Sequence, residues 1–342
     1  MKRILVLYKE LAGYFIACLD ELCLKHDVQA DVIAYPVNAD APFEFKHSER
    51  ISISSRASIS DQELSRMVAE EDYDLIFTGG WFDKGYLAAL KHRKCPALLG
   101  FDNAWSGSLK QQFSTIYGRM FLKPLFEYAF VPGIRQAVFA SKLGFQEKSI
   151  IRGAYSCDVT KFSSVIQQPQ RHNRLIYAGR YSSEKYVQPL FERFQKLAEN
   201  DFPTWELHCI GTGPLWNERL QSPHIVHHGF MQPDELLAFM NTGNAFILPS
   251  TFEPWGVAVH EFAAAGYPLI LSNAVGAAEA FLETTKNGYL FQAGNMDALE
   301  AALRKMMSQS QAQLHEMGRH SRSLACRITP ESWATSVAGM MR

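Results

Sequence analysis

Short apolar runs alternate with stretches of helical periodicity along nearly the whole chain. In the first half the runs at 4–8, 28–35, 75–78, 96–101, 127–131 and 149–152 have strand length and are rich in Val, Ile, Leu and Phe. Between them lie helical patterns at 11–24, from Lys84 onward, across 113–130, and from Pro132-Gly133 to about Gly144. The second half repeats the rhythm. Strands are expected at 174–178, 205–210, 224–228, 245–248, 269–271 and 287–291, with helices opening at Glu184-Lys185 and Gly256, across 297–326, and after Pro330. Strands that are apolar throughout, spaced by helices, predict open parallel sheets covered on both faces. Residues 36–60, with Pro36, Pro42 and many serines, read as an irregular connection.

Composition narrows the picture. A chain of 342 residues suits two domains, each able to bury a core. Apolar residues make up 47% and charged residues 20%, a globular profile, and the formal net charge of −1 gives no overall pull towards nucleic acid. Residues 84–152, however, carry eleven Lys and Arg against three acids. The six cysteines are scattered without C-x-x-C spacing, which fits reduced thiols in a cytoplasmic protein. The apolar run after Lys2-Arg3 is cut short by Lys9-Glu10, too short for a signal-peptide core, and no run approaches membrane-spanning length.

The stretch 244–272 carries the most chemistry. Its pattern is strand, loop, helix, strand, with Glu253 in the loop and Glu261 in the helix. In an open parallel sheet, ligands bind beyond the carboxyl ends of strands, where helix amino ends point. Amides at Gly256, Val257 and Ala258 would be open donors suited to phosphate, and glycine permits close approach. Glu261 could accept two hydrogen bonds from a ribose diol, and Glu253 could hold sugar hydroxyls. The plain alternative is an ordinary βαβ unit with two surface glutamates. Gly179-Arg180 follows an earlier strand and precedes Glu184-Lys185, offering a guanidinium fork and an ammonium from the same side.

Pro-Ser-Thr-Phe-Glu253-Pro-Trp-Gly, followed by Val-Ala-Val-His-Glu261, resembles the E-x7-E signature of the retaining "group 1" nucleotide-sugar glycosyltransferases. Tyr-Ala-Gly-Arg180-Tyr-Ser-Ser-Glu-Lys185 is similar to that family's G-R-x-x-x-E-K pattern, and Asn287-Gly-Tyr-Leu-Phe291 to its N-G-x-x-F. The resemblance implies an α/β chain of the GT-B fold, two Rossmann-like doubly wound domains facing a central cleft. Residues 1–155 would form the acceptor domain and 156–328 the donor domain, with 329–342 a helix packing back on the first. It implies that Glu261 binds the donor ribose and Glu253 the donor sugar, with Arg180 and Lys185 on the diphosphate. Gly179, Gly211 and the turn Gly229-Phe230-Met231 would line the nucleotide. The co-substrate would be a UDP- or GDP-sugar, with no cofactor and no metal. A saccharide or lipid-linked saccharide would be the acceptor, in surface polysaccharide or lipopolysaccharide assembly at the inner face of the cytoplasmic membrane.

Other signals remain more open. Gly13 in the first strand-to-helix turn and Trp81 after Gly79-Gly80 are acceptor-side candidates. Where many members carry a sugar-contacting histidine, this chain has Asp102-Asn103. Asp72-Tyr73-Asp74 precedes a strand, at the end away from the ligand face, and reads as a turn rather than a metal motif. His224, His227 and His228 sit on a strand whose neighbours face opposite ways, which disfavours a metal site. The 113–130 stretch is either a core helix with solvated charges or a basic, aromatic surface for an anionic membrane or lipid-pyrophosphate acceptor. Two rival functions stand beside transfer: a nucleotide-sugar epimerase, and a non-catalytic sugar-nucleotide-binding subunit.

Overall fold

The computed structural model describes residues 1–36, 43–44, 46–166 and 173–341. Residues 37–42, 45 and 167–172 lie outside them. The chain divides into two units. One takes in Met1–Asn38, Glu44–Cys157 and Ile328–Arg342; the other takes in Ala39–Phe43 and Asp158–Arg327.

The first unit is built on seven parallel strands: β1 (Lys2–Tyr8), β2 (Val28–Ala34), β3 (Ile51–Ser55), β4 (Leu75–Gly79), β5 (Ala97–Gly100), β6 (Tyr128–Val131) and β7 (Ile150–Arg152). Their order is β3-β2-β1-β4-β5-β6-β7. The central strands are apolar at nearly every position because helices cover both faces. Strand order reverses between β1 and β4, which makes their carboxyl ends the switch point of this sheet. The helix Pro330–Ala338 belongs to the same unit, with a Thr329 capping box at its start. Its Trp333 packs on Phe15, Phe77 and Phe130 and donates its indole N–H to the Ala154 carbonyl at 3.0 Å.

Two elements depart from the sequence expectation. Within 36–60, Ile51–Ser55 is a strand. Only Ile51 is buried, so an edge strand of serines carries no apolar period. The helix Asp61–Glu70 also escaped notice, although Ser60 and Glu63 form a full capping box.

The second unit has six parallel strands: β8 (Asn173–Ala178), β9 (Trp205–Ile210), β10 (Ile225–Gly229), β11 (Ala245–Leu248), β12 (Leu269–Ser272) and β13 (Gly288–Phe291). The order is β10-β9-β8-β11-β12-β13, so the switch point falls between β8 and β11. The 297–326 pattern resolves into two helices, Met296–Met307 and Gln311–Ala325, because Ser310 caps the second with Gln313. A helix at Pro233–Phe239 was not anticipated; it buries no residue and so shows no apolar stripe. The helix expected to open at Glu184-Lys185 instead begins at Val187. Ser183–Lys185 is a 3-10 turn, and Tyr186 has φ of +57°, a left-handed residue that breaks the path between them.

Candidate active site

The switch point of the second unit is where the charged candidates gather. The loop after β8 carries Arg180 and Lys185, and the loop after β11 carries Glu253. The two loops are tied together, since the Glu184 carbonyl accepts the Thr251 amide at 2.7 Å and its hydroxyl at 3.2 Å. The Lys185 ammonium donates directly to the Glu253 carboxylate, and both side chains are largely buried, at 18% and 12% exposure. Arg180 is exposed; its guanidinium and the Lys185 ammonium both help hold the Glu184 carboxyl below its ordinary value, after hydrogen bonds from Ser182 and backbone. The β11 loop is fixed from its other side. The turn after β12 donates Gly276 N–H to the Glu253 carbonyl at 3.0 Å and Ala277 N–H to the Trp255 carbonyl at 2.9 Å.

The helix Val257–Ala264 follows with its two ends treated differently. At the carboxyl end, Arg322 donates to the carbonyls of Ala264 (3.1 Å) and Ala265 (3.0 Å), so the negative pole meets a guanidinium. At the amino end, Gly256 is left-handed (φ +95°) and supplies no side-chain cap. Among the described residues, no acceptor meets the amides of Val257 or Ala258. The protein has satisfied one pole and left the other open, the arrangement an anion would complete. The helix is also anchored from beneath. His260 is buried, stacks on Phe281 and donates to the Ala325 carbonyl at 2.9 Å; burial lowers its pKa to about 4, so it is neutral.

Val257, Ala258 and Glu261 are half-buried, whereas Val259, His260 and residues 262–264 are fully buried. At about 100° per residue, the first three share one face, and the covered residues occupy the rest. Glu261 therefore lies on the uncovered face with the open amides. Its carboxylate has no hydrogen-bond partner among the described residues, and loss of surrounding water pushes its pKa up to about 7, against a small opposing pull from Lys161. The indole N–H of buried Trp255, just before Gly256, also lacks an acceptor among the described residues.

Gly179, Gly211 and Gly229 stand at or just after the ends of three adjacent strands, β8, β9 and β10. Gly211 is left-handed (φ +122°), and a Cβ there would run into the Gly179 carbonyl. Its own amide donates to the Gly229 carbonyl at 2.6 Å. These glycines thus let three loops pack edge to edge, a structural demand that holds with or without a nucleotide. Phe230 and Met231 follow β10 as half-buried turn residues. The histidines are structural. Tyr181 donates to His227 Nδ1 at 2.8 Å, while His227 Nε2 donates to the Leu220 carbonyl. His208 bridges His228 and Glu206. Among the described residues, no cluster of His, Cys, Asp or Glu is arranged to hold a metal.

The acceptor-side candidates lie in the first unit. Gly13 opens the helix Gly13–Lys25 beside open space. Trp81 is used in packing against Phe101 and Phe139. Asn103 is exposed and Asp102 half-buried, with the Asp102 carbonyl accepting from Gln136 at 3.1 Å. Sequence reasoning missed the tyrosines around Asp102. Burial, helped by the negative charge of nearby Asp102, raises the Tyr155 phenol well above its ordinary pKa and keeps it protonated. Tyr14 packs edge-on to Tyr155 at 5.4 Å and lies close to Tyr8 at the end of β1. Gly79, at the end of β4, makes room for the Tyr8 ring. The carboxyl edge of this sheet thus brings tyrosine rings beside Asp102, while Asp83, in the loop after β4, is held by Arg56 (2.8 Å) and the Tyr35 hydroxyl (2.9 Å). Asp72-Tyr73-Asp74 lies at the opposite, amino end of the strands. There Asp74 accepts the Arg3 amide at 2.8 Å, beside a cavity of about 440 Å³ lined also by Glu71 and Lys94.

Two doubly wound sheets with ligand-facing loops at their switch points define an α/β nucleotide-binding architecture. Residues 158–323, just under half the chain, match the family model described as "Glycosyl transferases group 1". The glycogen synthase of Mycobacterium tuberculosis is 28% identical over 203 residues, covering 56% of this chain and 47% of that protein. The chain thus spans about half the length of that relative. Among solved structures, sucrose-phosphate synthase from Thermosynechococcus elongatus aligns with a TM-score of 0.74 at 16% identity, over 99% of this chain and 98% of that one. HepE from Anabaena, solved in complex with UDP and glucose, aligns with a TM-score of 0.75 at 14% identity, over 99% of each chain. The fold is the GT-B fold of glycosyltransferases.

Proposed function

We propose that the protein is a retaining glycosyltransferase that moves a sugar from a UDP- or GDP-sugar to a saccharide or lipid-linked saccharide acceptor in surface polysaccharide assembly. The observation that carries this reading is the set of groups at the β8/β11 switch point. A Lys185–Glu253 pair, the Arg180 guanidinium, and an open helix end share that edge with an unpartnered Glu261. A nucleoside diphosphate answers each of these demands. Its phosphates complete the amides of Val257 and Ala258, and its ribose diol donates to the Glu261 carboxylate. Cleavage of the sugar–phosphate bond builds negative charge on the leaving diphosphate, which Arg180, Lys185 and the helix pole stabilise without a metal ion. As phosphate engages Lys185, Glu253 is freed to accept hydrogen bonds from the donor sugar. Same-face attack, with the donor phosphate receiving the acceptor's proton, follows from the family resemblance.

The similarity to HepE, a structure holding UDP and glucose, supports a uridine nucleotide as the first donor to try. A panel of UDP- and GDP-sugars, read by protection against thermal unfolding, should single out one donor; no stabilisation by any of them would count against the reading. Product analysis with that donor, with and without saccharide acceptors, separates transfer from epimerisation. A non-catalytic subunit would bind donor and yield neither product.

A further inference from the structure

The helical segment 109–122 of the first unit presents a face that none of the described residues covers. It comprises the α-helix Leu109–Tyr117 and a π-turn, Gly118–Leu122. Leu109, Phe113, Ile116 and Met120 follow the spacing of one helical face, and they are 71%, 72%, 59% and 63% exposed, with Tyr117 and Phe121 exposed beside them. The core-helix reading of 113–130 therefore fails for Phe113, Ile116, Tyr117, Met120 and Phe121, while Leu122, Phe126 and Phe130 are buried. The opposite face does the packing. Gly118 and Leu122 are buried, and a Cβ on Gly118 would run into Leu143. Large apolar side chains gathered on one exposed stripe are unusual on a surface and mark a site of interaction.

We propose that this stripe docks on an anionic lipid bilayer. The charge around it decides between occupants. No Asp or Glu occurs between Asn103 and Phe126, whereas Lys110 and Arg119 lie within the segment and Lys123 directly follows it. Arg119 is held at its flank by a hydrogen bond to the Lys142 carbonyl (2.8 Å), and Lys123 by one to the Phe126 carbonyl (3.0 Å). A second copy of this chain pairing stripe to stripe would bring together six cations, Lys110, Arg119 and Lys123 of each copy, with no acid between Asn103 and Phe126 of either to balance them. A bilayer with anionic headgroups accepts the apolar stripe and the flanking cations at once. Among the described residues no helix is long and apolar enough to cross a membrane, so the contact is one of lying on the surface.

Vesicle binding needs no sugar donor, so its outcome is independent of the proposed transfer. The full chain should co-sediment with vesicles of equal parts phosphatidylcholine and phosphatidylglycerol, and less so as salt rises. The double variant Phe113→Ser/Met120→Ser should lose about tenfold or more in vesicle affinity with its melting temperature unchanged, because neither side chain packs in a core. Leu109→Ser/Ile116→Ser should do the same from the same face. Undiminished sedimentation of both variants would overturn the proposal. So would equal binding to pure phosphatidylcholine, or a concentration-dependent dimer that the variants abolish.

Discussion

The two sheets share a winding rule and place their loops alike, yet their switch points carry different chemistry. At β8/β11 the groups are ionic: Arg180, the Lys185–Glu253 pair, Glu261 and an open helix pole. At β1/β4 they are tyrosines beside Asp102, with the other carboxylate of the β4 loop, Asp83, already paired with Arg56. The first set fits a multiply charged ligand whose charge grows during reaction. The second fits hydroxyl groups, which need donors and acceptors rather than net charge. One topology thus supports two recognition tasks, because the strands fix only where a loop begins and the loop residues decide what it binds.

The contrast breaks most sharply at Arg180. Arg180→Ala should cut turnover about a hundredfold or more at saturating donor, since losing one transition-state donor typically costs about 3–4 kcal/mol. Its melting temperature should hold, because the residue is exposed. Lys185→Ala should lose as much activity and also stability, as Glu253 would be left largely buried without its partner. Thermal unfolding beside steady-state kinetics tells the two variants apart. Wild-type turnover in Arg180→Ala would end the diphosphate assignment.

Asp102→Asn tests the other edge. Removing a charged acceptor should lower kcat/KM for the acceptor by about tenfold, near 1.5 kcal/mol, while donor affinity measured by calorimetry stays put. An equal loss in donor affinity would mean the two edges are not separate in function.

The Glu261 carboxyl gives a pH signature. In the proposed donor site the diol-accepting form of Glu261 is the ionised one, and its pKa is about 7. Donor affinity should therefore rise between pH 6 and 8, by at most about tenfold per unit below the pKa, and Glu261→Gln should flatten that rise. A UDP- or GDP-sugar suits the measurement, because its diphosphate does not titrate there. For the ligand-free fold the sign is opposite. A raised carboxyl pKa adds stability that is fully present below the ordinary value and is lost as pH rises through about 7. Smallest of all, Tyr155→Phe should cost about 1 kcal/mol or less in acceptor kcat/KM, through loss of the hydroxyl beside Asp102.

The alternation of apolar runs and helical periods located twelve of the thirteen strands, because strands buried on both faces must be apolar at every position. It failed at β3, an edge strand with one buried residue, and at Pro233–Phe239, a helix with none. The charged candidates were legible for a similar reason: Arg180, Lys185, Glu253 and Glu261 sit in short signatures next to strands that were themselves visible. What the sequence determined by itself was thus the order of elements and the residue types at their ends, both properties of near neighbours. Tertiary structure alone decided that Lys185 pairs with Glu253 across 68 positions, that Tyr8, Tyr14 and Tyr155 close around Asp102, and that the 109–122 stripe faces outward. Those facts depend on which strands lie side by side and which helix face is covered, and no local period records either.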